Sequence, residues 1–137
     1  RLTPDEQYTH ITLWCLLSAP LLIGCDISKI DDFTLNLLTN DEVLAIDQDP
    51  LGKQAQQKIK KTNYQAWIKQ LQDGSYAVGI FNLSRTYQTI TINWKDAGLK
   101  SNYKTRDLWQ QKDLGFLKTS FTTKVPPHGV TLLKLQH

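Results

Sequence analysis

Ala19-Pro20-Leu21-Leu22-Ile23-Gly24-Cys25-Asp26 is an uncharged apolar run closed by a glycine, a thiol and a carboxylate. Nothing in it alternates, so neither face is meant for water, and it reads as a parallel strand covered by helices on both sides. In such folds the carboxyl ends of the strands carry the chemistry, which makes Gly24, Cys25 and Asp26 the candidate pocket-wall residues of this chain. Asp26 precedes Ile27-Ser28 and can also cap the next helical turn; a capping or orienting role is favoured over direct contact with a ligand. Gly24 is expected to serve close packing, and Cys25 to line the wall without reacting.

The flanks place helices on either side. Thr3 offers an N-cap hydroxyl, Pro4 takes the first helical position and Glu6 sits three residues after the cap, which predicts a helix to about Ser18. Ile11, Trp14, Cys15 and Ser18 share one face at the helical period, widened by Leu13, Leu16 and Leu17. Two more helices are predicted over 30–38 and 41–46, the second capped by Thr39 or Asn40, before Asp49-Pro50-Leu51-Gly52 breaks the pattern. Helix, buried strand, helix is one unit of an α/β barrel or wound sheet. Alone, its strand leaves both hydrogen-bonding edges unmet, at about 1–3 kcal/mol for each buried group. The sequence contains no methionine, and the chain is expected to be a processed piece of a longer protein.

From about Lys53 the hydrophobic period changes to two. Tyr64, Ala66 and Ile68 alternate with Gln65, Trp67 and Lys69, and Gln72-Asp73-Gly74-Ser75 supplies a tight Asp-Gly turn to a return strand over 76–83. The cleanest alternation covers 87–94, with Ile90, Ile92 and Trp94 on one face and Thr89, Thr91 and Asn93 on the other; Lys95-Asp96-Ala97-Gly98 ends it. Strands are also predicted over 103–109, 116–125 and 130–135, the last two separated by Pro126-Pro127-His128-Gly129. This spacing predicts a two-layer antiparallel sandwich. By content the fold class is therefore α+β, with a helix-strand-helix unit over 1–52 and an all-β domain over 53–137.

Trp94 is in phase with Ile90 and Ile92, so it is expected in the core and not as a platform for a sugar ring. Trp67 and Trp109 are open between solvent exposure and a place against the first unit. Asn82-Leu83-Ser84 fits the N-glycosylation pattern, against which stands a plain turn role for Asn82.

Composition narrows the function classes. Of the 137 residues 40% are hydrophobic, enough for a core; the formal net charge of +3 is spread over separated lysines, as on solvated strand faces and unlike a nucleic-acid footprint. No apolar run approaches the length of a membrane span. His10, His128 and His137 share no metal-ligand spacing with one another or with Cys15 and Cys25, so neither zinc nor another cofactor is expected. His10 is expected to be a packed or hydrogen-bonded helix residue, and the two cysteines buried free thiols, with a disulfide as the alternative.

Leu2-Thr3-Pro4-Asp5-Glu6-Gln7, Thr9-His10, Leu13-Trp14, the run from Ala19 to Asp26, Thr34-Leu35-Asn36-Leu37-Leu38-Thr39-Asn40-Asp41-Glu42-Val43 and Gln48-Asp49-Pro50-Leu51-Gly52-Lys53-Gln54 together resemble the α-galactosidases of glycoside hydrolase family 27. The resemblance implies that 1–52 is the C-terminal remnant of a (β/α)8 barrel, completed by a missing N-terminal barrel segment, and that 53–137 is the appended β domain. Val125-Pro126-Pro127-His128-Gly129-Val130 is similar to the closing hairpin of such domains. It further implies retaining hydrolysis of terminal α-linked galactose by two aspartates. Both lie upstream of the matching stretch, so no catalytic, substrate-binding or metal residue is assigned here. By the same resemblance the enzyme is expected to be secreted, periplasmic or lysosomal. An α-galactoside would be a partner only of the full-length protein.

Two functions are thus expected: the C-terminal part of an exo-glycosidase, inactive by itself, or alternatively a stand-alone β-sandwich module that binds carbohydrate or another partner. The lone carboxylate Asp26 at the strand end cannot act both as nucleophile and as acid/base, because those roles fall on opposite sides of the scissile bond.

Overall fold

The computed structural model describes Tyr8, Thr12, residues 40–47, Asp49 and residues 55–136. The predicted strand with Gly24, Cys25 and Asp26, the predicted helix over 30–38, both cysteines, His10 and His137 lie outside the described residues. So does the predicted first helix apart from Tyr8 and Thr12, which are helical.

Asn40 opens helix α1 (Asp41–Asp47). Its Oδ1 accepts the backbone N–H of Glu42 at 3.1 Å and of Val43 at 3.2 Å, two donors that the first helical turn cannot satisfy itself. Asp41 and Glu42 add negative charge at the positive end of the helix dipole.

Eight strands follow: β1 (Gln56–Lys60), β2 (Tyr64–Gln70), β3 (Tyr76–Asn82), β4 (Gln88–Asn93), β5 (Tyr103–Asp107), β6 (Lys112–Leu117), β7 (Ser120–Val125) and β8 (Val130–Gln136). They form a six-stranded antiparallel sheet of order β1-β2-β3-β8-β5-β6, packed on the antiparallel pair β4-β7. The expected β-sandwich is present. The β2–β3 connection is wider than a two-residue turn, running over 71–75, with Gln70 opposite Tyr76. Gly74 lies at φ 87°, in the left-handed region that glycine enters without strain, and its N–H meets the Leu71 carbonyl.

Two strands differ from expectation. β1 was hidden because only Ile59 is half-buried in it, so an edge strand reads as a polar linker. The predicted strand over 116–125 is two: β6 ends at Leu117 and β7 begins at Ser120. No glycine or proline marks that turn, whereas Gly115, at φ 81°, sits inside β6 where the pairing with β5 shifts register. β5 also stops at Asp107, short of the predicted 109.

The centre of the large sheet is buried on both faces, and its edge strands β1 and β6 are largely exposed. Along β3, Val78 and Ile80 point into the sandwich with Ile90, Ile92, Trp94 and Leu133, while Ala77 and Phe81 point the other way, to a cluster containing Val43 and Ile46 of α1. Trp94 is fully buried as expected, edge-on to Tyr103 at 6.0 Å, with its Nε1–H on the Leu117 carbonyl at 3.3 Å. The helix therefore does not lean on the sandwich from outside; it supplies the second layer on one sheet face.

Candidate functional site

On the helix-facing side of the large sheet, side chains of the sandwich are bonded to residues of the helices. Trp67, Lys69 and Leu71 alternate onto this face from β2 and its end, Trp67 and Leu71 within the apolar cluster and Lys69 fully buried. The Lys69 ammonium donates to the carbonyl of Ile46 in the last turn of α1. There it meets one of the acceptors that a helix end leaves open, at the negative end of the dipole.

The opposite end of α1 is held as closely. Asn40, besides capping the helix, donates through Nδ2 to the Leu108 carbonyl at 3.1 Å and accepts from Gln111 Nε2 at 3.3 Å. Arg106 grips the Glu42 carboxylate with two nitrogens, Nε on Oε1 and Nη2 on Oε2 at 3.1 Å, and reaches Asp113 with Nη1 at 2.9 Å. A fork of this kind fixes direction as well as distance. Past the helix, Asp49 accepts the backbone N–H of Gln72 at 3.0 Å, which ties residue 49 to the β2–β3 connection.

The β5–β6 turn, residues 107–111, makes a second set of contacts. Asp107 Oδ1 accepts the N–H of Gln110 at 3.0 Å, and Gln111 is held at φ 52°, a region that non-glycine residues seldom enter. Burial pushes the Asp107 carboxyl above the ordinary aspartate value, against the pull of the Gln110 and Trp109 N–H groups. From this turn the Trp109 indole donates to Thr12 Oγ1 at 2.7 Å and meets the Tyr8 ring edge-on at 4.9 Å. Thr12 is fully buried, and its own hydroxyl donates a hydrogen bond to the Tyr8 carbonyl at 2.7 Å. Trp67 and Trp109, left open by the sequence, thus both pack on the helical side.

Beside Trp109 is a cavity of about 260 Å³ reached by Tyr8, Asp107, Gln110 and Lys124; a smaller one, about 180 Å³, lies under α1 among Glu42, Asp49, Asp73 and Lys134. The three carboxylates of the second are each engaged: Glu42 by Arg106, Asp49 by the Gln72 N–H, and Asp73 by Ser75 and Lys134. They are committed to structure. Among the described residues no cluster of three or more His, Cys, Asp or Glu is placed to hold a metal ion, and no helix is long and apolar enough to cross a membrane.

Asn82 has the turn role. It is only 2% exposed, and its Nδ2 donates to the carbonyls of Thr86, Val125 and Pro126 at 2.9–3.0 Å while Oδ1 accepts from the Ser84 N–H and hydroxyl, both at 2.8 Å.

The sequence does not mark Lys69 or Arg106 as residues that hold the helices. A faint signal existed for Lys69, which shares its phase with Trp67 and Leu71 and so sits in an apolar stripe. Arg106 had none, because its partner Glu42 is 64 residues away.

The described residues thus form a β-sandwich with helical residues of the same chain seated on the outer face of its large sheet. The family described as the α-galactosidase C-terminal β-sandwich domain matches residues 61–135, and that described as α-galactosidase A matches residues 1–49. The chain is 36% identical to an α-galactosidase of Cyamopsis tetragonoloba over 98% of its length and 33% of the relative's. It is 35% identical to α-galactosidase 2 of Arabidopsis thaliana, over 98% of this chain and 34% of the other. Among solved structures, α-galactosidase I of Mortierella vinacea superposes with a TM-score of 0.90 at 31% identity, over 98% of this chain and 36% of that one. A β-L-arabinopyranosidase of glycoside hydrolase family 27 from Geobacillus stearothermophilus gives 0.91 at 36% identity, over 100% of this chain and 31% of the other. The chain belongs to the α-galactosidase family, glycoside hydrolase family 27, and spans about a third of the length of the curated relatives it matches.

Proposed function

We propose that the chain is the C-terminal part of a retaining exo-glycosidase that removes terminal α-linked galactose from oligosaccharides or glycoconjugates, and that its own task is to dock and brace the end of the catalytic barrel. The carrying observation is that one polypeptide matches the family in both halves, in order, while Asn40, Glu42, Ile46 and Asp49 are bonded to the sandwich. A stand-alone carbohydrate-binding module is not favoured, since such a module has no use for the barrel-like half.

In this reading residues 1–52 are the end of the barrel, residues 53–137 the accessory domain, and Gly24, Cys25 and Asp26 belong to the pocket wall or to groups behind it. The barrel segment that would carry the two catalytic aspartates, about 5–5.5 Å apart in a retaining enzyme, is supplied by the rest of the protein. Work on carbohydrate outside the cytosol, in a secreted, periplasmic or lysosomal setting, fits the same reading. β-L-Arabinopyranose has the ring configuration of α-D-galactopyranose without the exocyclic CH2OH, so a pentoside is the natural competitor as substrate.

The test is hydrolysis of aryl α-galactoside and aryl β-L-arabinopyranoside by the full-length parent and by the 137-residue chain. The parent is expected to prefer the galactoside, and the chain to turn over neither. Turnover by the chain alone, lost in Asp26→Asn, would overturn the assignment of its role; a parent inactive on both would overturn the enzymatic reading.

A further inference from the structure

Two separate pieces of the helical half end on one turn of the sandwich. The Trp109 indole N–H holds Thr12, and through it the Tyr8 carbonyl, while one and two residues to either side the Leu108 carbonyl and the Gln111 amide hold Asn40, the cap of α1. Arg106, the residue before the turn, adds the fork on Glu42. The turn is itself rigid: Asp107 ties its middle to its start, Gln111 is locked in the left-handed region, and the Leu108 N–H is bonded to the Leu132 carbonyl of β8. Thr12 and Asn40 are linked covalently only through the stretch that contains Gly24, Cys25 and Asp26. Lys69 on Ile46 and Gln72 on Asp49 hold the far end of α1 and the chain just past it, while Tyr8 packs against the apolar cluster that contains Val43 and Ile46 of α1.

We propose that residues 106–111 form a positioning element that sets Tyr8 and Thr12 relative to α1, so that the sandwich fixes the spacing of the two helical pieces and through them influences turnover in the full-length enzyme. Trp109 and Arg106 are its positioning residues, acting through Thr12 and Glu42. The bearing on catalysis rests on the function proposed above, whereas the coupling of the two helical pieces stands without it.

The first arm measures coupling. Amide hydrogen exchange is followed in the 137-residue chain for residues 8–12 and for α1, in Thr12→Val, Trp109→Phe, the double variant, Thr12→Ser and, as a control on the outer face of the small sheet, Thr91→Ala. Thr12→Val and Trp109→Phe each remove the same bond, so both are expected to speed exchange in residues 8–12 and also in α1, and the double variant to be no faster than the worse single one. Thr12→Ser keeps the acceptor and behaves as the unaltered chain, as does Thr91→Ala. Exchange in α1 that ignores both Thr12→Val and Trp109→Phe, or effects that add in the double variant, overturn the proposal.

The second arm uses the full-length enzyme. There Trp109→Phe is expected to lower kcat by about two- to thirtyfold, the span of couplings carried through packed elements, with KM nearly constant and Thr12→Ser unaffected. An unaltered kcat overturns the catalytic half of the proposal. If the full-length protein has no glycosidase activity to begin with, the proposed function fails, and exchange alone decides the coupling.

Discussion

The ammonium of Lys69, on a fully buried β2 side chain, is hydrogen-bonded to the carbonyl of Ile46 near the end of α1. A lysine on the helix-facing side of a sheet would ordinarily carry a large desolvation cost; here the helix end offers the charge a carbonyl acceptor and a favourable dipole. We predict that Lys69→Met lowers stability by about 1–3 kcal/mol, because the Ile46 carbonyl is left buried without this donor. In a chain beginning at residue 53 the same substitution should have little effect, since the helix is gone. Equal urea midpoints for Lys69→Met and the unaltered 137-residue chain would refute the linkage.

Two aspartates give pH dependences of opposite sign. Asp73 is held below its ordinary value of 3.8 by the Ser75 hydroxyl first, then the Ser75 N–H, with Lys134 at 3.6 Å adding less. Its folded form prefers the carboxylate, so its contribution is present above the ordinary value and disappears as the pH falls through the depressed one. Asp107 is the reverse: burial raises it, the folded state prefers the acid, and stability is lost as the pH rises from 3.8 through the raised value. Asp73→Asn should therefore lower the urea midpoint at pH 7 and flatten the acid limb. Asp107→Asn, which can still accept from Gln110, should hold or raise the midpoint at pH 7 and lose that advantage near pH 3. A titration in which both variants shift in the same direction at pH 7 contradicts these assignments.

Trp94 and Trp67 separate the two cores. Trp94→Ala should cost about 3–5 kcal/mol, as a fully buried aromatic truncation. Trp67 is half-buried under the helical side, so Trp67→Ala should cost less in the 137-residue chain, and least in a chain beginning at residue 53. Equal losses for the two substitutions in urea titrations would show that the facing of β2 is misassigned.

Asn82 closes the neck between β3 and the β7–β8 connection. Asn82→Ala removes a donor to three carbonyls and should destabilise by about 2 kcal/mol or more. Asn82→Asp sets an oxygen against those carbonyls, and its penalty should grow between pH 3 and pH 7 as the new carboxyl ionises. For the same reason Asn82 should carry no glycan after expression in a eukaryotic secretory host. Intact mass showing full occupancy on a stably folded protein would disprove that.

Gly129 answers the same neck from the other side. A methyl group there would come within 2.7 Å of the Pro126 ring and 3.0 Å of its carbonyl, while the Gly129 carbonyl accepts the Asn82 N–H at 3.0 Å. Gly129→Ala should destabilise by about 1–3 kcal/mol, in the range of overpacked sites. A melting temperature unchanged from the parent chain would mean that the Pro126 ring moves aside freely.

What the sequence by itself determined were the features that neighbours in the chain enforce. Asn40 announces α1 because a cap acts within three residues; Asp73-Gly74 marks a reversal because only glycine enters φ 87° without strain; Ile90, Ile92 and Trp94 show their burial because a strand repeats every second residue. The family was legible too, since it is carried by runs of contiguous residues. The tertiary structure alone decided which face each tryptophan took, that Lys69 is buried, that β8 enters between β3 and β5, and that Trp109 meets Thr12 across 97 residues of chain. Local periodicity says that a sheet has two faces, and it can say that both are apolar. It is silent on what covers the second face, because among the described residues the covering layer comes from Tyr8, Thr12 and α1 with its cap Asn40, whose distance along the chain bears no relation to their distance in space.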